Sequence, residues 1–124
     1  KSTHIDHFYA QSKMKKYFSH LWDHAANKIY LNPSTNMWKQ AKWPNKISHG
    51  HIMGSGKRTD PDIVKNLTNQ AVPDNSKPKQ KRYLFDDSPT SHVVSKYLKF
   101  LSFRRIELIK LLNNTLHDME TNGI

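Results

Sequence analysis

The segment NKISHGHIMGSGKRTDP, residues 45–61, holds three of the chain's four glycines, two histidines and a Gly-Lys pair. A phosphate-cradling nucleotide loop requires a glycine, four residues, and then Gly-Lys followed by Ser or Thr. Here Gly56-Lys57 is followed by Arg58, and His51 stands where the first glycine should be. Since the hydroxyl that would hold magnesium is missing, we interpret the segment as a flexible strip whose glycines let the backbone approach a polyanion closely.

Histidines offer a second possible chemistry. His20 and His24 are four residues apart in a segment predicted to be helical, with Asp23 beside them, and zinc accepts such ligands. No Glu completes a His-Glu-x-x-His motif, so we predict no metal site. His20 and His24 are the candidate ligands if a metal does bind. No Ser, His and Asp spacing favours a catalytic triad. The sequence therefore predicts no catalytic residue, no cofactor and no small-molecule substrate.

The charge distribution is the strongest signal. Lys and Arg total 20 against 10 Asp and Glu, which gives a net charge of +10, and the mean hydropathy is −0.83. Such an excess is typical of nucleic-acid-binding proteins. Residues 32–59 contain no acid, and residues 77–82 form a second basic cluster. The predicted RNA-binding residues are Lys39, Lys42, Lys46, Lys57, Arg58, Lys77, Lys79, Lys81, Arg82, Trp38 and Trp43.

Two alternatives stay open for these residues. Cations interleaved with aromatic side chains suit irregular RNA, because Lys and Arg meet phosphates while aromatic rings stack on unpaired bases. Trp38 and Trp43 fit equally well as core residues, since tryptophan is rarely left in water. The lysines fit a plainly solvated surface.

The elements that must position these residues are predicted to be mostly helical. Apolar residues recur at helical spacing over 12–31, which predicts a helix there. A short turn is expected upstream of it, at 3–10. Thr59-Asp60-Pro61-Asp62 is a typical helix start, so a short helix is expected at about 60–70. A long helix is expected over about 89–120, closed by Gly123. We expect one small domain with long basic extended segments, of which 32–59 is an aromatic arm and 73–82 a linker.

The long C-terminal helix carries more apolar surface than the rest of the predicted fold can cover. Two apolar stripes lie side by side along it. One other long helix cannot enclose both, and a large exposed apolar surface usually marks a partner site. The residues predicted to pack against a protein partner are Val94, Leu98, Leu101, Leu108 and Leu112.

Composition limits the setting of the protein. The chain has no cysteine, which excludes disulfides and Cys-based zinc sites. No apolar run approaches the ~18 residues of a membrane span, and no secretory signal is present, so no membrane partner is expected. The chain begins with Lys1 rather than Met, which removal of a transit peptide or a lack of order at the natural start would each explain.

The amphipathic helices, the acid-free segment "NMWKQAKWPNK", the cluster "KPKQKR" and the absence of cysteine together resemble a small mitochondrial ribosomal protein of the fungal type. This resemblance spans the chain and is compositional. It implies a structural role in the mitochondrial matrix, with helices packed on neighbouring ribosomal proteins and arms threaded through ribosomal RNA. The alternatives are a DNA-binding or chromatin-associated module, which would need a helix with basic residues along one face, and a histidine-ligated metal protein or enzyme.

Overall fold

A computed structural model describes residues 4–31, 39, 42–44, 61–85 and 92–123. These residues are mostly helical, as predicted, with one long C-terminal helix and a small two-stranded sheet. The elements are β1 (His4–His7), α1 (Gln11–Met14), 3-10 turns at Leu21–Asp23 and Ala25–Asn27, β2 (Lys28–Leu31), α2 (Pro61–Asn69), α3 (Pro78–Lys81) and α4 (Val93–Asn122).

The prediction of a helix over 12–31 is wrong. Only α1 is helical there, and the segment ends in a strand that pairs antiparallel with β1, with Ile5 opposite Tyr30. The upstream turn predicted at 3–10 is also wrong, because His4–His7 form a strand. In β2 the buried Ile29 and Leu31 flank the exposed Tyr30, so this stretch follows the alternating period of a strand.

Asn27 explains why a helix does not run through this region. Its buried side chain accepts a hydrogen bond from the backbone nitrogen of Tyr9 at 2.8 Å and donates to the carbonyls of Tyr9 at 3.0 Å and Trp22 at 2.9 Å. Short polar side chains offer the backbone such alternatives to a helix. Ser19, Asp23 and Asn27 recur at four-residue spacing, and their low helix propensity outweighed the apolar period.

The segment 73–82 was predicted to be a linker, and this too needs correction. Asp74 forms a polar turn in which its Oδ1 accepts from the Ser76 backbone nitrogen at 2.9 Å and from the Ser76 hydroxyl at 2.6 Å. The side chain of Gln80 in turn accepts from the Asp74 backbone nitrogen at 2.8 Å. With Pro78 in the first turn, α3 follows directly.

Helices α2 and α4 confirm the predictions for residues 60–70 and 89–120, with shifted ends. Gly123 follows α4 with a φ of 71°, a left-handed value that glycine adopts without strain. The 30 residues of α4 make it about 45 Å long. Every residue from Ile109 to Gly123 is exposed, so the helix continues well past the core.

The core is built from aromatic side chains that connect the segment directly after β1 to the N-terminal half of α4. Phe8 stacks on Phe100 at 5.4 Å between ring centroids, and Tyr9 meets Tyr97 edge-on at 5.0 Å. The Tyr9 hydroxyl donates to the carbonyl of Tyr83 at 2.6 Å, which fixes the chain that leaves α3. One cluster of buried residues runs in sequence from Phe8 to Leu101 and includes Trp43, Leu67 and Phe85.

Arg104 is a buried charge that ties three segments to α4. Its side chain is only 3% exposed. The guanidinium donates to the carbonyls of Ala26 at 2.9 Å and Gln70 at 3.0 Å, and also to that of Lys28. Burial lowers its pKa to about 10, which leaves it charged at neutral pH. Because the carbonyls belong to the 3-10 turn, to β2 and to the end of α2, Arg104 sets how these elements sit on the long helix.

Candidate nucleic-acid interface

Four cations share one exposed turn around α3, which we call the basic turn. Lys77, Lys79, Lys81 and Arg82 are all exposed. Among the residues that the structure describes, no ion pair involves any of them. The polar turn at Asp74 and the proline that begins α3 hold the backbone beneath them. The sequence grouped these residues correctly but as part of a linker, whereas a fixed turn presents them as one charged surface.

An open groove of about 590 Å³ adjoins the basic turn. Its walls come from the end of α3 and from one face of α4. Tyr83 and Phe103 lie nearly parallel, with ring centroids 4.7 Å apart and 28° between the ring planes. The lining residues are Arg82, Tyr83, Leu98, Lys99, Ser102, Phe103, Ile106 and Glu107.

The groove combines the two kinds of side chain that unpaired RNA requires. The Arg82 guanidinium lies 5.0 Å from the Tyr83 ring centroid and donates to its hydroxyl at 2.9 Å. The half-buried Tyr83 and Phe103 rings stack on one another and form an aromatic wall of the groove, while Arg82 and Lys99 supply positive charge at its edge. The single acid of the lining, Glu107, is paired with Lys110 at 3.1 Å, which offsets its repulsion of phosphate.

Tyr83, Lys99 and Phe103 were not predicted to be site residues. Phe103 and Lys99 sit in α4 among apolar residues, where helical spacing alone assigns them to no particular surface. Tyr83 directly follows the predicted cluster of cations, and this adjacency of an aromatic residue to a basic run was the available signal. The fold brings Phe103 across to Tyr83, which no local pattern could have indicated.

Lys39 and Trp43 need correction as exposed RNA contacts. Lys39 is fully buried, and its Nζ forms an ion pair with Asp6 Oδ2 at 2.7 Å and donates to the carbonyl of His7 at 3.0 Å. Burial lowers the pKa of Lys39, and the nearby Asp6 carboxylate opposes that shift. Trp43 is 9% exposed and meets Phe85 edge-on at 4.6 Å, so the core alternative describes it.

The structure describes one of the five other predicted RNA-binding residues of the acid-free segment. Lys42 is half-buried. Trp38, Lys46, Lys57 and Arg58 lie outside the described residues.

The candidate metal ligands do not share a helix face, because the predicted helix around them does not form. The His24 ring accepts from the backbone nitrogen of Ala26 at 2.9 Å, while His20 lies just before the first 3-10 turn. In the described part of the chain no group of three or more His, Cys, Asp or Glu residues is placed to hold a metal ion. A hydrogen bond from His7 at 2.8 Å instead lowers the pKa of Asp23, aided by Lys28 at 3.4 Å.

The predicted partner-packing residues divide between the core and the surface. Leu101 is 8% exposed and belongs to the core, so it is not available to a partner. Leu108 is half-buried. Val94, Leu98 and Leu112 are exposed by 37%, 42% and 57%. The core is formed from a neighbouring face of α4 that includes Val93, Tyr97 and Phe100.

The basic residues of α4 do not form one exposed basic face. Arg104 is engaged with backbone carbonyls in the interior, and Lys110 is paired with Glu107. Lys96, Lys99 and Arg105 remain. At about 100° per residue Lys96 and Lys99 share one side of the helix, whereas Arg105 lies on the side opposite Lys96. This arrangement gives little support to groove reading in DNA by α4.

No family model, no curated protein and no solved structure matches the chain. Among the described residues, no helix combines the length and apolar character that crossing a bilayer requires.

Proposed function

We propose that this chain is a structural constituent of a ribonucleoprotein, most specifically of a mitochondrial ribosomal subunit, where it binds ribosomal RNA and neighbouring proteins. The observation that carries the proposal is the basic turn beside the aromatic groove. Cations contact the phosphates of an irregular RNA strand, and Tyr83 and Phe103 offer a surface on which an unpaired base stacks. In this role the protein performs no reaction and needs no cofactor or small-molecule substrate.

The chemistry of the surface supports RNA with unpaired bases more than a duplex. A duplex hides the faces of its bases, so a stacking groove gains nothing from it, whereas loops and bulges expose them. Four cations on one short turn also suit a locally bent backbone whose phosphates converge. The compositional resemblance to small mitochondrial ribosomal proteins supplies the ribosomal and mitochondrial part of the proposal.

Salt dependence of RNA binding tests the proposal. Each phosphate contact to a single strand contributes about 0.7 to the slope of log affinity against log salt. Changing Lys77, Lys79, Lys81 and Arg82 together to Gln should therefore reduce that slope by about 3 if all four contact phosphates. The probe is a structured RNA with single-stranded loops, and binding is measured by fluorescence anisotropy at several salt concentrations.

A matched control separates this surface from general attraction. Changing the exposed Lys15, Lys16, Lys65 and Arg105 to Gln removes the same total charge from scattered positions outside the groove. We expect a clearly smaller loss of slope for this control. Equal losses in both variants would show that net charge alone attracts RNA and that the basic turn is not the site.

The stacking surface has its own test. Replacing Phe103 by Leu keeps an apolar side chain but removes the ring that faces Tyr83. Loss of a base stack should weaken binding of loop RNA by about 1–3 kcal/mol and leave binding of a fully paired RNA unchanged. An unchanged affinity for loop RNA would refute the stacking role.

A further inference from the structure

The projecting half of α4 carries a narrow line of apolar side chains with coiled-coil spacing. Ile109, Leu112, Leu116 and Met119 follow one another at intervals of three, four and three residues, and we call them the apolar stripe. Their exposed fractions are 47%, 57%, 52% and 38%. At about 100° per residue these four side chains fall on one side of the helix, and Asn114 and His117 fall on the opposite side.

The charge of this region differs from that of the rest of the chain. Residues 106–124 contain Lys110 against Glu107, Asp118 and Glu120, a net charge of −2. Since the whole chain carries +10, residues 1–105 carry +12. A region that is apolar and slightly acidic does not suit a polyanion, so its occupant is a protein surface.

We propose that the apolar stripe pairs antiparallel with the same stripe of a second copy of this chain. In this arrangement Ile109 of one copy packs beside Met119 of the other, and Leu112 packs beside Leu116. The contacts are reciprocal, as a two-fold interface requires, and all four layers are apolar. The two-fold axis passes between the two stripes at the level of residue 114 along each helix.

Electrostatics favour this orientation over a parallel one. Arg105 lies four residues before Ile109 and continues the spacing of the stripe. Antiparallel pairing places Arg105 beside the C-terminal end of the other helix, which ends at Asn122. A cation is stabilising at that end of a helix dipole. The two positively charged bodies then lie about 40 Å apart, well beyond the Debye length of about 8 Å at physiological salt. Parallel pairing would instead bring both bodies, and both Arg105 side chains, together.

The inference goes beyond the proposed function because it needs no RNA. Two helices that meet over about three turns form a small interface, so we expect a dissociation constant of the order of 10–100 µM. The pairing would cover apolar surface that the free protein otherwise exposes to water.

Sedimentation equilibrium of the full chain, in high salt to remove bound nucleic acid, tests the pairing. The average mass should rise with concentration from 14.5 kDa toward twice that value. Changing Leu112 and Leu116 to Glu should hold the mass at 14.5 kDa at every concentration. The control changes Asn114 and His117 to Glu, which adds the same charge on the other side, and it should associate as the wild type does. Circular dichroism checks that both variants keep their helix.

Orientation is tested by disulfide formation, which is clean because the chain has no cysteine. An Ile109→Cys variant and a Met119→Cys variant should each fail to cross-link alone and should cross-link to one another when mixed and oxidised. Cross-linking of each variant with itself would show parallel pairing and overturn the inference. A wild-type mass that stays at 14.5 kDa up to about 0.5 mM would overturn it as well and would assign the stripe to a different protein.

Discussion

Replacing Arg104 by Met tests whether one buried side chain holds three segments onto α4. Methionine keeps much of the length and apolar volume of arginine but donates no hydrogen bond. The change leaves the carbonyls of Ala26, Lys28 and Gln70 without their donor. The fold, rather than any binding surface, should therefore respond.

The expected magnitude follows from these contacts. A hydrogen bond from a charged group contributes about 1.5–3 kcal/mol, so three of them contribute about 5–9 kcal/mol. Removing the charge also relieves the cost of burying it. Burial lowers the pKa of Arg104 to about 10, which corresponds to a burial cost of about 3 kcal/mol. The net loss of unfolding free energy is then about 2–6 kcal/mol, which is large against the 5–15 kcal/mol typical of small proteins.

Thermal and urea unfolding followed by circular dichroism measure this loss. The control is Arg82→Met, which removes an exposed arginine and should change the free energy of unfolding by less than about 0.5 kcal/mol. Arg104→Lys should give an intermediate loss, because one ammonium group cannot reach three carbonyls that the guanidinium fork spans. If Arg104→Met and Arg82→Met unfold at the same urea concentration, the tethering role of Arg104 is refuted.

Three further outcomes are expected. The Asp23 carboxyl should titrate by NMR below its ordinary pKa of 3.8, and His7→Gln should move the Asp23 pKa upward. Because the pKa is depressed in the folded state, the stability that this carboxylate contributes is present at neutral pH. That stability is lost as the pH falls through the folded pKa. Asp6→Asn and Lys39→Met should each lower the free energy of unfolding by about 1–3 kcal/mol, and the double variant should lose less than the sum of the two. Losses that add in the double variant would contradict the ion pair. Trp43→Ala should lower the free energy of unfolding by about 3–5 kcal/mol, and a variant as stable as the wild type would remove Trp43 from the core.

Helices α2 and α4 could be predicted because their signals are local. Capping residues, a proline in the first turn and a long apolar period mark them in sequence, and Gly123 marks the end of α4. The hairpin could not be found in the same way. β1 and β2 are separated by 20 residues, and their pairing becomes visible only when the intervening chain folds back through Asn27.

The candidate site was predictable in part for the same reason. The cations of the basic turn are adjacent in sequence, so composition alone groups them. Phe103 joins Tyr83 through tertiary packing, which composition does not encode. The prediction for Lys39 was wrong. Its acid-free neighbourhood in sequence suggested an exposed side chain, but the fold buries it in an ion pair with the carboxylate of Asp6, which is distant in sequence. Charge density along a sequence predicts a surface well only where no distant partner neutralises it.

Density-gradient sedimentation tests the central claim, that this chain is a constituent of a ribonucleoprotein through the basic turn. The full chain is expressed in cells with a tag, and mitochondrial lysates are fractionated at low and high salt, with and without nuclease. The wild type should co-migrate with ribosomal particles at low salt and leave them at high salt, and the variant with Lys77, Lys79, Lys81 and Arg82 changed to Gln should remain in the light fractions. A wild-type chain that stays in the light fractions at low salt, or that migrates unchanged after nuclease treatment, would contradict the claim.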